Sequence, residues 1–195
     1  MKLSECRMCE LCNTRTKVVC GVGTGQSGIM LVGEAPGRTE DVEGTPFVGK
    51  AGRYLRENIK GFWAGKPEFL YITNVVKCWP ANEGGAGNRV PTPHEIETCG
   101  VWLKKEIETL TPVIIIPLGN TALQAITGEE GISTKHGQIA WSSEYHCCIF
   151  PMYHPSFILR TQSHAAFAKD VAILGEIVNR PWHEVETWLK AKVRI

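Results

Sequence analysis

Short apolar segments alternate with amphipathic segments along most of the chain, and this alternation predicts a series of strands and helices. Four segments have the apolar or β-rich sequence that is typical of buried strands: 29–33, 70–76, 112–118 and 147–152. Four others carry apolar residues near a helical spacing: 49–59, 93–110, 119–126 and 165–178. Strands that alternate with helices usually pair in parallel and are covered on both faces. The pattern therefore predicts an α/β fold, a three-layer α/β/α sandwich around a short central, mostly parallel sheet.

Polar residues gather where three of the predicted strands end. The segment 34–47 follows the first strand, the segment 74–78 lies at the end of the second, and His154 follows the last. In sheets of this kind, ligands bind beyond the carboxyl ends of the strands. The three polar groups are therefore predicted to converge on one site at that edge.

Length and composition favour one domain. Of the 195 residues, 43% are hydrophobic, which is enough to bury one core. We expect a single domain over residues 1–195 with an N-terminal cysteine arm, ending in a short amphipathic helix over 182–195. Basic and acidic residues nearly cancel, 21 against 20. This balance gives no support for a protein that coats nucleic acid by bulk electrostatics, and it is compatible with a local basic face.

The cysteines indicate metal ligation. The chain has no apolar run of about 18 residues and no signal-peptide pattern, so we expect a cytoplasmic protein without membrane contact. Cysteines in such a protein favour metal binding over disulfides. Cys6 and Cys9 form a CxxC turn, and Cys78 and Cys99 lie far downstream. Four thiolates suit a structural zinc ion or an iron–sulfur cluster, and the spacing leaves both open. Cys12 is a rival ligand.

Several motifs occur in a recognisable order. They are Gly33-Glu-Ala-Pro-Gly37, the segment 44–52 (GTPFVGKAG), the segment 73–78 (TNVVKC), the segment 118–123 (LGNTAL) and Tyr153-His-Pro-Ser156. With them, the chain resembles the family 4 uracil-DNA glycosylases, the iron–sulfur branch of that superfamily, over about residues 3–178. The resemblance implies the fold of that superfamily and an enzyme that removes uracil from DNA.

The resemblance also implies a [4Fe–4S] cluster held by Cys6, Cys9, Cys78 and Cys99, with a structural role. One departure is the interval of twenty residues between the last two cysteines, which is longer than usual. The extra length falls in the glycine-rich loop 81–89, so ligation is retained if that loop bulges outward. We expect Cys20, Cys147 and Cys148 to be ordinary buried core residues.

The base pocket can be derived from the chemistry of uracil. A base inside a duplex must be flipped out before its edge can be read. Uracil presents an N3–H donor between two carbonyl acceptors, and the amide of Asn74 can pair with N3–H and O4. Cytosine reverses this pattern and is rejected. Phe47 is expected to stack on the flipped ring. Backbone N–H groups around Gly33 to Ala35 are expected to donate to the base or to the water.

Three side chains are candidates for the chemical step. Cleavage of the glycosidic bond leaves negative charge on uracil O2, and a donor aimed at O2 stabilises the leaving group. The resemblance implies this role for His154. A carboxylate is expected near the anomeric carbon to position water and stabilise the sugar cation. Glu34 and Glu40 are both candidates, and the resemblance also implies that Glu40 excludes the methyl group of thymine. The sequence does not divide the roles between them.

The expected partner is uracil-containing DNA, single-stranded or double-stranded. Ser156 and the turn of Pro36 and Gly37 are predicted to bind DNA phosphates. Arg160 falls where the superfamily inserts a loop into the minor groove, and Lys77 and Arg89 are weaker candidates for backbone contacts. We expect a monomer, and the sequence leaves open whether a sliding clamp or a polymerase is a partner.

Two other functions stay open at this point. One is a non-catalytic, metal-bearing module that binds nucleic acid. The other is a related glycosylase with mismatch-specific chemistry, or with covalent capture of uracil through a histidine. The covalent branch carries an Arg-Ile-His element, where this chain has Arg89-Val-Pro91, so covalent capture is not expected. We expect a monofunctional glycosylase that leaves an abasic site without cutting the strand.

Overall fold

A five-stranded sheet forms the centre of the protein in the computed structural model, which describes residues 2–63, 67–179 and 184. The strands are β1 (Ile29–Gly33), β2 (Tyr71–Asn74), β3 (Ile114–Pro117), β4 (Ala140–Ser142) and β5 (Cys147–Ile149). Their order is β2-β1-β3-β5-β4. Every pair is parallel except β4 and β5, which are antiparallel. The prediction of an α/β fold with a mostly parallel sheet is confirmed.

Seven α-helices surround the sheet within the described residues. They are α1 (Arg38–Glu43), α2 (Lys50–Ile59), α3 (Pro93–Leu110), α4 (Asn120–Thr127), α5 (Ile132–Lys135), α6 (Pro155–Thr161) and α7 (His164–Val178). Short 3-10 segments lie at Leu3–Glu5, Glu10–Asn13, Lys60–Trp63, Pro67–Phe69 and Glu83–Gly85. None of the described helices is long and apolar enough to cross a membrane.

The alternation of side chains along the strands divides the core into two halves, because successive residues of a strand point to opposite faces. On one face, Leu31 and Ile116 pack with buried residues of α2, α6 and α7. On the other face, Met30 and Ile115 pack with buried residues of α3 and α4. All five residues of β1 are buried. Both faces of the sheet are therefore covered, which makes the three layers.

All eight predicted strands and helices are present, and four short elements were missed. The missed elements are α1, α5, α6 and β4. Helix α1 has the polar sequence RTEDVE and buries only Asp41, and β4 is an edge strand without a buried residue. Neither has the apolar periodicity on which the prediction depends. The helix expected over 182–195 lies outside the described residues, apart from residue 184.

The N-terminal arm is tied to the sheet and to α1 by backbone hydrogen bonds. Val22 pairs with Ile72 of β2, and the N–H of Val19 donates to the carbonyl of Lys77 at 2.8 Å. The carboxylate of Asp41 accepts from the N–H of Thr16 at 2.9 Å. These contacts place the first two cysteines beside the end of β2.

Candidate active site

A cavity of about 850 Å³ opens at the carboxyl edge of the sheet. The candidate residues that line it are Glu34, Ala35, Gly37, Glu40, Phe47, Asn74, His154, Ser156 and Arg160. The three polar groups that follow β1, β2 and β5 therefore meet at one site. Pro36 is buried and is not part of the cavity wall. Of that turn, only Gly37 lines the cavity, and a contact of Pro36 with DNA stays a prediction.

Gly33 makes room for the floor of the cavity. It is the last residue of β1 and lies opposite Asn74, the last residue of β2. A Cβ atom at Gly33 would lie 2.3 Å from Oδ1 of Asn74 and 2.5 Å from the ring of Phe47. Any other residue here would push the amide and the ring out of place. Asn74 is 2% exposed, and no hydrogen bond from the described residues occupies its side-chain amide.

Phe47 has a backbone conformation that side chains rarely adopt. Its φ is +56°, in the left-handed region, which costs a bulky residue about 1–3 kcal/mol and persists only where the surroundings impose it. Here the guanidinium of Arg56 donates to the carbonyls of Phe47 and Pro46 at 3.1 and 3.2 Å. A Cβ at Gly52 would lie 2.1 Å from the carbonyl of Phe47. The ring is thereby fixed with its centroid 6.0 Å from that of His154.

The structure separates the two candidate carboxylates. Glu40 accepts three backbone N–H groups, from Val48 at 3.0 Å, from Gly49 at 2.7 Å and from Gly37 at 3.2 Å. It thus joins the loop after β1 to the start of α2. Within the described residues, the side chain of Glu34 has one hydrogen bond, in which the hydroxyl of Thr121 donates to Oε2 at 2.5 Å. No described residue donates to its other oxygen, Oε1.

His154 is a neutral imidazole with a defined tautomer. Its Nδ1 accepts the backbone N–H of Ser156 at 3.2 Å and contacts the hydroxyl of Ser156 at 2.7 Å. Because a backbone N–H can only donate, Nδ1 is the acceptor and the proton lies on Nε2. Burial, with a smaller effect of the charge of Arg160, lowers the pKa of His154 to about 4. At neutral pH the ring therefore offers one N–H donor from Nε2.

The basic residues occupy different places from those expected. Lys77 is fully buried, so the prediction that it contacts the DNA backbone is wrong. Arg89 lines the cavity, and its guanidinium makes a two-pronged ion pair with Glu95 at 2.8 and 2.6 Å. Arg160 lies in the last turn of α6 and not in a loop, and it donates to the hydroxyl of Ser156 at 3.3 Å. Arg160 thus stays at the exposed rim of the cavity.

The four predicted ligand cysteines line a second, smaller pocket. Cys6 and Cys9 come from the arm, Cys78 follows β2, and Cys99 lies on the buried face of α3. Arg15, a residue of the arm, donates to Sγ of Cys78 at 3.3 Å and to the carbonyl of Cys6 at 2.5 Å. Cys12 is not part of this pocket.

Burial makes the thiols of Cys78 and Cys99 poor anions by themselves. It raises the pKa of Cys99 to about 12, and it raises the pKa of Cys78 against the opposing effect of Arg15. Two donors point at the sulfur atoms, the guanidinium of Arg15 and the N–H of Lys77, which donates to Cys99 at 3.3 Å. Within the described residues, no group of three or more His, Cys, Asp or Glu side chains is arranged to hold a single metal ion.

The remaining cysteines mostly follow the expectation. Cys147 and Cys148 are each 1% exposed and belong to β5, so the prediction that they are core residues is confirmed. Cys20 is only half-buried, so for this residue the prediction is wrong. It lies just before the bridge between Val22 and Ile72, at the edge of the sheet.

Sequence reasoning missed the role of two residues of the site. Thr121 follows β3 at the same sheet edge as the other polar groups, and that position was the signal that could have found it. Gly33 was noticed only as part of a motif, although its position opposite Asn74 explains why a glycine is needed. Asp41 does not line the cavity; it is 1% exposed and holds the arm by accepting the N–H of Thr16.

Comparison with known proteins identifies the family. The family model described as the uracil DNA glycosylase superfamily matches residues 20–192. The chain belongs to the uracil-DNA glycosylase superfamily. Within this superfamily it is 37% identical over 189 residues to the type-4 uracil-DNA glycosylase of Archaeoglobus fulgidus, which covers 92% of this chain and 91% of the relative.

Two further relatives agree. The type-4 uracil-DNA glycosylase of Thermotoga maritima is 39% identical over 166 residues, which is 84% of this chain and 82% of the relative. That of Sulfurisphaera tokodaii is 39% identical over 162 residues, 80% of this chain and 71% of the relative. The resemblance to family 4 of the superfamily is therefore confirmed.

Proposed function

We propose that the protein is a monofunctional uracil-DNA glycosylase, which hydrolyses the N-glycosidic bond of uracil in DNA, releases the free base and leaves an abasic site for base excision repair. One observation carries the proposal. Asn74, Phe47 and His154, with its Nε2–H donor, line one cavity. The missing side chain at Gly33 leaves room there for the amide and the aromatic ring. An amide, an aromatic face and a neutral donor are what recognition and departure of uracil require.

The Asn74 amide reads the edge of the base. Its Oδ1 accepts N3–H of uracil, and its NH₂ group donates to O4. The N–H of Ala35, in the loop after β1, is a further donor at the cavity. Cytosine would place an acceptor opposite Oδ1 and a donor opposite the NH₂ group, which leaves buried polar groups unpaired. The fixed ring of Phe47 holds the base plane against this edge.

His154 acts on the leaving group. Its Nε2–H donates to O2, where negative charge develops as the C1′–N1 bond breaks. Ser156 keeps the ring in this tautomer, because its N–H occupies Nδ1. Arg160, at the exposed rim of the cavity, donates to the hydroxyl of Ser156, which in turn contacts Nδ1 of His154. Ser156 thus serves substrate binding through the histidine, and Arg160 and Gly37 are the groups proposed to hold DNA phosphates.

The two carboxylates have different roles in this proposal. Glu34 positions the attacking water and stabilises the cationic sugar, because Thr121 fixes one of its oxygens and the other is available. Glu40 shapes the loop, because its oxygens bind three backbone N–H groups. It lines the cavity and is proposed to exclude the thymine methyl group from there.

The cysteine pocket fits an iron–sulfur cluster, and we include a [4Fe–4S] cluster bound by Cys6, Cys9, Cys78 and Cys99 in the proposal. The fit rests on the donor set: four thiols around one pocket, with Arg15 and a backbone N–H directed at the sulfur atoms. Such a cluster, when bound, supplies a cross-link between the arm, the end of β2 and α3. The proposed chemical step uses only the side chains of the cavity.

The experiment that tests the function uses oligonucleotides with one uracil, single-stranded or opposite G or A. The expected result is free uracil and an intact strand that breaks only after treatment with alkali. DNA binding without uracil release would favour the binding module. A covalent protein–DNA product would favour the histidine-capture branch, and direct strand cleavage would contradict the monofunctional assignment.

A further inference from the structure

Lys77 is a charged residue inside the apolar core, three positions after Asn74. It is fully buried, between the completely buried Val75 and Val76 on one side and Cys78 on the other. Its ammonium group makes three contacts of 2.6 Å: with the hydroxyl of Thr73, with the carboxylate of Glu106 and with the main-chain carbonyl of Asn74. An ammonium group has three protons, so all its donors are used within the protein.

The contact with Asn74 lies where the sheet ends. Asn74 is the last residue of β2, and its partner Gly33 is the last residue of β1. The peptide that joins Asn74 to Val75 is held at both ends. Its N–H donates to the carbonyl of Gly33 at 2.9 Å, and its carbonyl accepts from Lys77. Together with the pairing of β2 with β1, this peptide fixes the direction in which the Asn74 side chain leaves the backbone.

The ammonium group is itself anchored from the opposite layer. Glu106 is on α3 and is 12% exposed on its side chain, and the hydroxyl of Thr73 donates to the same carboxylate oxygen at 3.0 Å. Buried ion pairs of this kind add little net stability, because desolvation offsets the attraction, and their best-attested use is to fix one arrangement.

We propose that Lys77 is a positioning residue for base recognition: its ammonium group, anchored by Glu106, holds the Asn74 carbonyl so that the Asn74 amide meets the uracil edge in one orientation. This inference rests on the proposed function and deepens it. Lys77 touches neither substrate nor reacting atoms, and acts through Asn74. Because Lys77 is fully buried and uses all its ammonium protons within the protein, it cannot contact DNA or form a Schiff base with the sugar.

The test compares the double variant Lys77→Met, Glu106→Gln with the parent and with Lys105→Met, a control on α3 whose lysine is exposed. Removing both charges avoids an unpaired buried ion, so the double variant should keep its fold. The readouts are Tm, iron per chain, affinity for abasic duplex, single-turnover excision, and the inhibition constant of free uracil. The last reports on Asn74 directly, because free uracil makes no DNA contact.

In the double variant, the inhibition constant of uracil should rise roughly tenfold and excision should slow by a similar factor, as expected for a displaced hydrogen-bonding group. Iron content and abasic-DNA affinity should match the parent, and Lys105→Met should match it in everything. If the double variant has the parent's inhibition constant for uracil and the parent's excision rate, the role of Lys77 is wrong and the proposed function is unaffected. Absence of excision by the parent would instead overturn the proposed function and this role with it.

A second variant decides the question if the double variant does not fold. In Lys77→Met alone, the carbonyl of Asn74 loses its donor, while the carboxylate of Glu106, on a side chain that is 12% exposed, keeps its hydrogen bond from the hydroxyl of Thr73. The inhibition constant of uracil should again rise roughly tenfold. An unchanged constant in folded Lys77→Met protein would contradict the proposal.

Discussion

The imidazole of His154 shows how a single residue acquires its chemistry from its surroundings. Burial removes the stabilisation that water gives to the charged ring, and the N–H of Ser156 occupies the nitrogen that would take up the second proton. The neutral ring therefore persists well below the ordinary pKa of histidine. Asn74 depends on its surroundings in a similar way, since Gly33 and Lys77 fix where its amide lies.

The pH dependence of unfolding should report the lowered pKa of His154. The folded pKa is about 4 and the ordinary value is 6.5, so between these values the unfolded chain binds a proton that the folded chain does not. The free energy of unfolding should therefore fall as pH falls through this window. Denaturant unfolding of the parent and of His154→Gln at several pH values measures it, and the parent should show the steeper decline. Equal slopes in the two proteins would contradict a buried neutral His154.

Substitution of Asn74 tests the reading of the base. In Asn74→Asp, a carboxylate replaces an amide, so uracil loses the donor to O4 and should be excised more slowly. The loss of one buried hydrogen bond corresponds to about 1–3 kcal/mol in transition-state stabilisation. A protonated aspartate presents a different donor pattern, which could admit cytosine. Single-turnover assays on matched uracil and cytosine oligonucleotides measure both effects, and an unchanged uracil rate would exclude Asn74 as the reader.

At the level of elements, the site depends on where β1 and β2 end. The two strands end together at Gly33 and Asn74, which places the loop after β1 directly over the amide. In Gly33→Ala, the new methyl group would meet the Asn74 amide and the Phe47 ring. Displacements of about 1 Å cost on the order of 10²-fold in rate, and we expect a loss of that size in single-turnover excision.

A matched glycine substitution controls for helix and stability effects. Gly100 lies in α3, and a Cβ atom there would have no neighbour within 4 Å. Gly100→Ala should therefore excise uracil at the parent rate. A Gly33→Ala protein as active as Gly100→Ala would show that the floor of the cavity tolerates a side chain, and the proposed pocket would be wrong.

The cysteine pocket joins the arm, the end of β2 and α3, and its substitution should affect the assembly of all three. Cys6→Ser and Cys99→Ser should lose iron and much of their soluble yield, whereas Cys147→Ser, in β5, should retain both. Anaerobic purification followed by metal analysis measures this. Stoichiometric zinc without iron in the parent would contradict the [4Fe–4S] assignment.

The elements also show what the sequence could predict. Strands β1 and β3 are buried throughout, so their apolar runs are clear in the sequence, and the polar residues behind them mark the site. Helix α6 was missed because it begins at a histidine cap and a proline instead of an apolar repeat. Lys77 was predicted to contact DNA. This was wrong because its partner, Glu106, is 29 positions away in the sequence and only the folded chain brings them together.

At the scale of the whole molecule, three layers divide the work between two sites. The arm and α3 build the cysteine pocket on one side of β2, while the loop after β1, α2 and α6 build the cavity at its end. Lys77 lies between them, with its N–H on Cys99 and its ammonium group on Asn74. The chain therefore places the cysteine pocket next to the cavity that is proposed to bind the base.

The central claim is that uracil is released in this cavity with His154 as the donor to the departing base. The most direct measurement is single-turnover excision by the parent and by His154→Ala on a uracil-containing duplex, with the DNA affinity of both. Loss of a donor that acts on developing charge should slow excision by about 10²–10³-fold. DNA affinity should remain nearly unchanged, because the contact forms only in the transition state. Excision by His154→Ala at the parent rate would contradict the account.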